Sequence, residues 1–163
     1  MKRILSAVLC AVMLFALTAC GGSTEETKAE YTPVNDGALW GAEYEGTKVE
    51  VLSYEYDENW HSYADVAEGP AVIVRFYFEN DGGDPLYMLE SFGVFPYQDG
   101  TELDYISLNS DDEECTNVAK SVKDGAGIYC KMAFKTISDS DTELRILEPT
   151  AEAATIGTLT LAK

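Results

Sequence analysis

Between residues 71 and 78 the side chains alternate with a period of two. Val72, Val74, Phe76 and Phe78 fall on one face, and Ala71, Ile73, Arg75 and Tyr77 on the other. Such alternation among β-branched and aromatic residues predicts a strand with one fully buried face. Gly69-Pro70 introduces it, and the turn formers Asn80-Asp81-Gly82-Gly83-Asp84-Pro85 end it. Lys48 to Tyr56 predicts a second strand whose phase changes midway: Val49 and Val51 share one parity, then Leu52, Tyr54 and Tyr56 take the other. A β-bulge near Val51–Leu52 reconciles the two. Leu86 to Tyr97 is a long β-rich stretch, Gln98-Asp99-Gly100-Thr101 is a hairpin turn, and Leu103 to Leu108 continues as its partner strand. Ile128, Cys130, Met132 and Phe134 alternate with Tyr129, Lys131, Ala133 and Lys135. Leu144 and Ile146 mark another strand, and Thr155 to Leu161 a last one. Glu58 to Glu68 reads as a modest helix or a long loop.

About seven short strands separated by Gly, Pro and Asp turns predict an all-β fold, an antiparallel β-sandwich or barrel. A single-layer sheet is excluded, because the Val72/Val74/Phe76/Phe78 face and the Ile128/Met132/Phe134 face both need cover. The folded domain is expected over 46–163, close to the ≈ 100 residues of an immunoglobulin-type sandwich.

The first twenty residues follow a different pattern. Lys2 and Arg3 precede an apolar run of 14 residues from Ile4 to Leu17, broken only by Ser6. That length suits the hydrophobic region of a signal peptide, whereas a spanning helix needs roughly 20 apolar residues. The run ends in Leu17-Thr18-Ala19-Cys20, which resembles the lipobox of bacterial lipoproteins. The resemblance implies that Leu17 is recognised, Ala19 is the last residue removed and Cys20 is lipidated and becomes the new N-terminus. An ordinary secretory signal cut after Ala19, with Cys20 free, is the alternative. Two acyl chains on Cys20 would give a stable membrane anchor on the extracytoplasmic face, where one would be marginal. Residues 1–19 are thus expected to be a signal peptide and residues 20–45 the lipidated Cys with a flexible acidic tether. Trp40 and Tyr44 are out of character for a tether and suit docking onto the domain.

Length and charge narrow the functions. The chain has 163 residues, enough for one ordinary domain, with 46% apolar and 25% charged residues. Its 29 acidic residues against 11 basic ones give a formal charge of −18, which excludes the basic footprint of a nucleic-acid binder. Anionic lipid would repel such a domain. One histidine, His61, argues against a His-rich metal site and a Ser-His-Asp mechanism; no metal and no cofactor are expected.

The run Glu68-Gly69-Pro70-Ala71-Val72-Ile73-Val74-Arg75-Phe76-Tyr77-Phe78-Glu79-Asn80 resembles a "G-x-P-A-V-x-V-x-Y-x-F-x-N"-like strand-and-turn motif of small Gram-positive lipoproteins. Here Gly69 abuts Pro70 directly. Tyr97-Gln98-Asp99-Gly100-Thr101-Glu102-Leu103 resembles the "Q-x-G-x-x-L" hairpin of the same proteins. Val122-Lys123-Asp124-Gly125 stands where they often carry a Pro-Gly turn, with Asp124 in place of the Pro. They form a domain-of-unknown-function family with an immunoglobulin-like, telokin-like β-sandwich. The resemblance covers roughly Lys48 to Glu148 and implies the fold; its motifs are structural and transfer no catalytic or binding residue.

The candidate sites are few. Cys115 and Cys130, an even number in an extracytoplasmic chain, favour a disulfide, which would contribute about 3 kcal/mol in the chain-entropy model. The alternative is two independent thiols, with Cys130 buried beside Ile128 and Met132. Asp111-Asp112-Glu113-Glu114 could offer oxygen ligands to Ca²⁺, but it lacks the ligand spacing and central Gly of an EF-hand loop, and a solvated loop fits better. Trp60, His61 and Tyr63 gather aromatic surface around the sole histidine and are a candidate binding segment, set against simple packing. The function expected is a non-enzymatic binding or interaction module of the cell envelope, anchored by the lipid on Cys20, with an envelope protein or glycan as partner. A carboxylate-pair hydrolase, which needs two facing carboxylates in a cleft, and a Ca²⁺-stabilised spacer are the alternatives.

Overall fold

Eight strands and two short helices follow one another along the computed structural model, which describes residues 31–63, 66–107, 110–148 and 154–163. They are β1 (Trp40–Tyr44), β2 (Thr47–Tyr63), β3 (Val66–Asn80), α1 (Met88–Ser91), β4 (Gly93–Gln98), β5 (Thr101–Glu102), α2 (Glu113–Asn117), β6 (Ala126–Lys135), β7 (Thr142–Leu147) and β8 (Thr155–Leu161). One antiparallel sheet has the order β1-β2-β3-β6 and the other β5-β4-β7-β8. The fold is an all-β sandwich. Leu17, Ala19 and Cys20 lie outside the described residues.

The core follows from the period-two pattern. Val72, Val74, Phe76 and Phe78 of β3 are all 0% exposed. Across the ladder they meet Val49 and Val51 of β2 and Cys130, Met132 and Phe134 of β6. Leu144, Ile146 and Leu161 close over them from the second sheet, joined by Met88, Phe92, Val118 and Val122. Each fully buried side chain of this size contributes about 1.5–3 kcal/mol. The register shift between Val51 and Ser53 is the bulge expected from the sequence. It returns Tyr54 and Tyr56 to the core side, opposite Val74 and Val72. The Tyr56 hydroxyl donates to the Leu161 carbonyl at 2.8 Å and lies 2.9 Å from the Thr142 hydroxyl, which ties the two sheets together.

The folded unit begins earlier than residue 46. Gly46, read as the start of the domain, is instead the second residue of a tight hairpin turn: Glu45 has φ 49° and Gly46 φ 78°, as a two-residue type I′ loop requires. β1 pairs with β2 through this turn, from Trp40 opposite Val51 to Tyr44 opposite Thr47. The Trp40 indole packs against Gly157 of β8, where a Cβ would clash with the ring, so glycine leaves room for it. Residues 31–45 therefore belong to the domain and not to a tether.

Three further segments differ from the sequence pattern. The described residues of Glu58 to Glu68 are neither helix nor loop: β2 extends to Tyr63, β3 starts at Val66, and the two pair antiparallel with several register shifts. Leu86 to Tyr97 holds a helical turn, because Met88 and Phe92, four apart, both reach the core. After the Asp99-Gly100 turn (φ 51° and 79°) β5 lasts only two residues. The chain then moves to the other sheet: Ile106 N–H donates to the Ala133 carbonyl, and Lys135 N–H to that of Asp104, along the edge of β6.

Candidate functional site

The outer face of the β1-β2-β3-β6 sheet carries the residues of opposite parity to the core: Arg75 and Tyr77 on β3, Tyr129 and Lys131 on β6, and Glu50 on β2. Glu50 has no exposed surface. Its carboxylate accepts from Tyr31 Oη at 2.8 Å, Val34 N at 2.5 Å, Asn35 N at 3.1 Å and Asn35 Nδ2 at 2.7 Å. Burial opposes the ionised form, but these donors outweigh it and hold the carboxyl below its ordinary value. The segment 31–39 is fixed by this side chain, by Asn35 Oδ1, which accepts from the Tyr129 hydroxyl at 3.0 Å, and by the Leu39 N–H, which donates to the Val51 carbonyl at 2.8 Å.

Arg75 lies beside that segment. Its Nε and Nη2 donate to the two oxygens of Glu114 at 2.8 and 2.7 Å, and its guanidinium sits 4.7 Å from the Tyr129 ring centroid. Glu114 is also 3.8 Å from Lys131 Nζ, which donates to Asp112 at 2.9 Å. Asp112 in turn caps α2 by accepting from Glu114 N. Arg75 and then Lys131 hold the Glu114 carboxyl below its usual range. At Asp112 burial works the other way, and Lys131 with the helix N–H groups prevails. Half-exposed pairs of this kind contribute little stability, about 1 kcal/mol or less. Their effect is to fix Arg75 in one orientation. Between this network and residues 35–38 lies a cleft of about 290 Å³, lined by Asn35, Asp36, Gly37, Ala38, Leu52, Arg75 and Tyr129.

Of the acidic run 111–114, Asp111 and Glu113 are exposed as a solvated segment would have them, whereas Asp112 caps α2 and Glu114 orients Arg75. Trp60 is packing. It is buried against Ala71, Ile73 and Ala133, on the same outer face but away from the cleft. His61 is exposed on β2, and the Tyr63 side chain lies outside the described residues. The sequence pattern singled out neither Tyr129 nor the 35–38 segment. The available signal was Arg75, the single charge in the alternating stretch from Ala71 to Phe78.

The disulfide expectation is corrected. Cys115 and Cys130 are both free and buried. Cys130 points into the sandwich opposite Phe76, and Cys115 sits on α2 among the Ser107 and Ser110 hydroxyls. Each packs as a small apolar residue. Burial pushes the Cys130 thiol up to about 12 and raises Cys115 as well, so neither is a thiolate at neutral pH. Both thiols are expected to resist a maleimide in the native protein and to react, without reductant, once it is unfolded in urea. Labelling by mass spectrometry checks this; a pair that stays unlabelled in urea until reduced would restore the disulfide.

No family model matches the chain, and no curated protein matches its sequence. Solved structures do. A protein from Staphylococcus aureus, named a "putative lipoprotein", superposes with a TM-score of 0.56 at 12% identity, over 72% of this chain and 84% of that one. A "putative lipoprotein" from Bacillus subtilis gives 0.48 at 14% identity, over 74% of this chain and 37% of that one. The likeness to the Staphylococcus aureus structure is one of fold.

Proposed function

We propose that the chain is a lipid-anchored, extracytoplasmic binding module of a bacterial envelope, non-enzymatic, which engages its ligand in the Arg75–Tyr129 cleft. The observation that carries this reading is the fixed guanidinium: Arg75 is held by two bonds to Glu114 and by the Tyr129 ring before any ligand arrives, and preorganised groups bind at lower entropic cost. The cleft is lined by one carboxylate, Asp36, whereas a carboxylate-pair hydrolase needs two facing ones, and this favours binding over hydrolysis. Glu114 is held below its usual range, whereas a general acid needs the opposite shift. The anchor rests on Leu17-Thr18-Ala19-Cys20, and the Staphylococcus aureus neighbour that shares the fold bears a lipoprotein name. An immunoglobulin-like reading of the sandwich is supported by its crossings: β2 and β3 pair in one sheet, β4 and β5 cross to the other, β6 returns to β3, and β7 and β8 complete the second sheet.

A test in cells combines both halves of the proposal. Cys20→Ser is expected to abolish fatty-acid labelling of the protein. A photo-crosslinking side chain in place of Ala38 is expected to give an adduct that is missing when the same group replaces Thr160, on the other sheet. Unchanged labelling would remove the anchor, and adducts equal at the two positions would remove the cleft.

A further inference from the structure

We propose that the ligand of this cleft is an uncharged saccharide; the inference rests on the reading of the cleft as the binding site and deepens it. The cleft's charges choose the class. Arg75 stands on one wall and the exposed carboxylate of Asp36 on the other. The guanidinium is already neutralised by Glu114, in a chain of net charge −18. An anion would gain little from Arg75 and would meet Asp36; a cation would find Asp36 but leave the free Arg75 N–H donors without an acceptor. What remains is a neutral ligand that both donates and accepts.

The polar groups fit hydroxyls. A guanidinium has five N–H donors, and Nε and Nη2 spend one each on Glu114. The others are left for hydroxyl oxygens. Asp36 accepts from hydroxyl protons, and the Tyr129 oxygen, which donates to Asn35, still has acceptor capacity. Leu52 and Ala38 supply apolar surface of the kind that the C–H face of a sugar ring covers. Leu52 follows the buried Val51 and so faces outward, and the β2 bulge shifts the phase only after it. A volume of about 290 Å³ is near the lower end of ligand pockets, ~300–1,000 Å³. It suits one ring, with the rest of a chain running out into solvent.

A neutral peptide has the same balance of donors and acceptors, but strand addition, one main mode of extended-peptide docking, needs a free sheet edge. Arg75 and Tyr129 stand on a sheet face. β3 is paired on both sides, and the edge of β6 is taken by residues 104–106.

The full-length protein in detergent micelles, labelled with ¹⁵N, would be titrated with cellotetraose, maltotetraose and chitotetraose as neutral probes. Tetragalacturonate, the tetramer of glucosamine and a tetra-alanine peptide blocked at both ends complete the set. At least one neutral sugar is expected to shift the amides of Gly37, Ala38 and Tyr129, and to bind at least tenfold more tightly than the anionic and cationic sugars. Arg75→Gln and Tyr129→Ala are each expected to weaken binding at least tenfold with the circular-dichroism spectrum unchanged. Arg145→Gln, on the other sheet, is expected to leave it unaltered. Failure of all three neutral sugars, or equal binding of the charged ones, overturns the saccharide assignment. If the peptide or a charged sugar alone shifts the same amides, the class falls and the cleft stands. Sugar binding that neither variant weakens overturns the cleft itself.

Discussion

Phe76→Asp is expected to leave the protein without a cooperative unfolding transition, while Arg75→Asp, one residue away, keeps one. Phe76 is fully buried between Val51 and Cys130, with the second sheet closing over it. An aspartate there loses the aromatic packing, a loss of about 3–5 kcal/mol for Phe→Ala alone. It also buries a carboxylate with no cation within the core. The sum exceeds most of the ~5–15 kcal/mol that holds a domain together. Val74→Asp follows the same logic. Arg75 lies on the outer face with its side chain 37% exposed, so an aspartate reaches water. It costs the Glu114 pair and the contact with Tyr129 and adds like-charge repulsion, about 1–2 kcal/mol in all. Urea titration followed by circular dichroism measures both; equal midpoints for the Val74 and Arg75 variants would overturn the assignment of faces.

The same alternation explains what could be read from the sequence. The parity of β3 and β6 sets which side chains meet, and side-chain parity is visible in a linear string. Hence the buried face, the bulge at Val51–Leu52 and the Asp99-Gly100 turn were all legible. Helical turns of four or five residues were not, since Met88 and Phe92 alone are too few to display a period. Nor was the Glu45-Gly46 hairpin, because a charged residue followed by glycine is as common in linkers as in turns, and Trp40 gave no hint that its partner was Gly157. The site was the least legible part. Arg75, Tyr129 and Asn35 come from three segments far apart in sequence, and what unites them is the docking of residues 31–39. That docking depends on Glu50, which in the sequence is one acidic residue among 29.

Glu50 should therefore control both the N-terminal segment and the shape of the cleft. Removing it by Glu50→Ala strands the Tyr31 hydroxyl, two backbone N–H groups and the Asn35 amide. Hydrogen bonds to a charged acceptor contribute about 1.5–3 kcal/mol each, but the segment can swing away and give its donors back to water. The loss is then limited to the free energy of docking, about 3 kcal/mol by the same scale. β1 stays in place through its ladder with β2. Hydrogen exchange should show the Val34 and Asn35 amides losing protection while those of β3 keep theirs.

Acid should mimic the substitution. The Glu50 carboxyl is held low in the folded chain, so its contribution is complete above the unfolded glutamate value, about 4.3, and fades as pH falls through the lower folded value. Asp112 and Glu114, also held low, titrate in the same direction and loosen Arg75. They lie on the far side of the cleft, however, so Glu50→Gln separates the contributions. It keeps the shape of the side chain but sets an amide N–H against a donor, so the segment should be loosened already at neutral pH and its protection should change little with acid. Amide protection of Val34 that falls with pH as steeply in the Gln variant as in the parent would show that another carboxylate holds the segment.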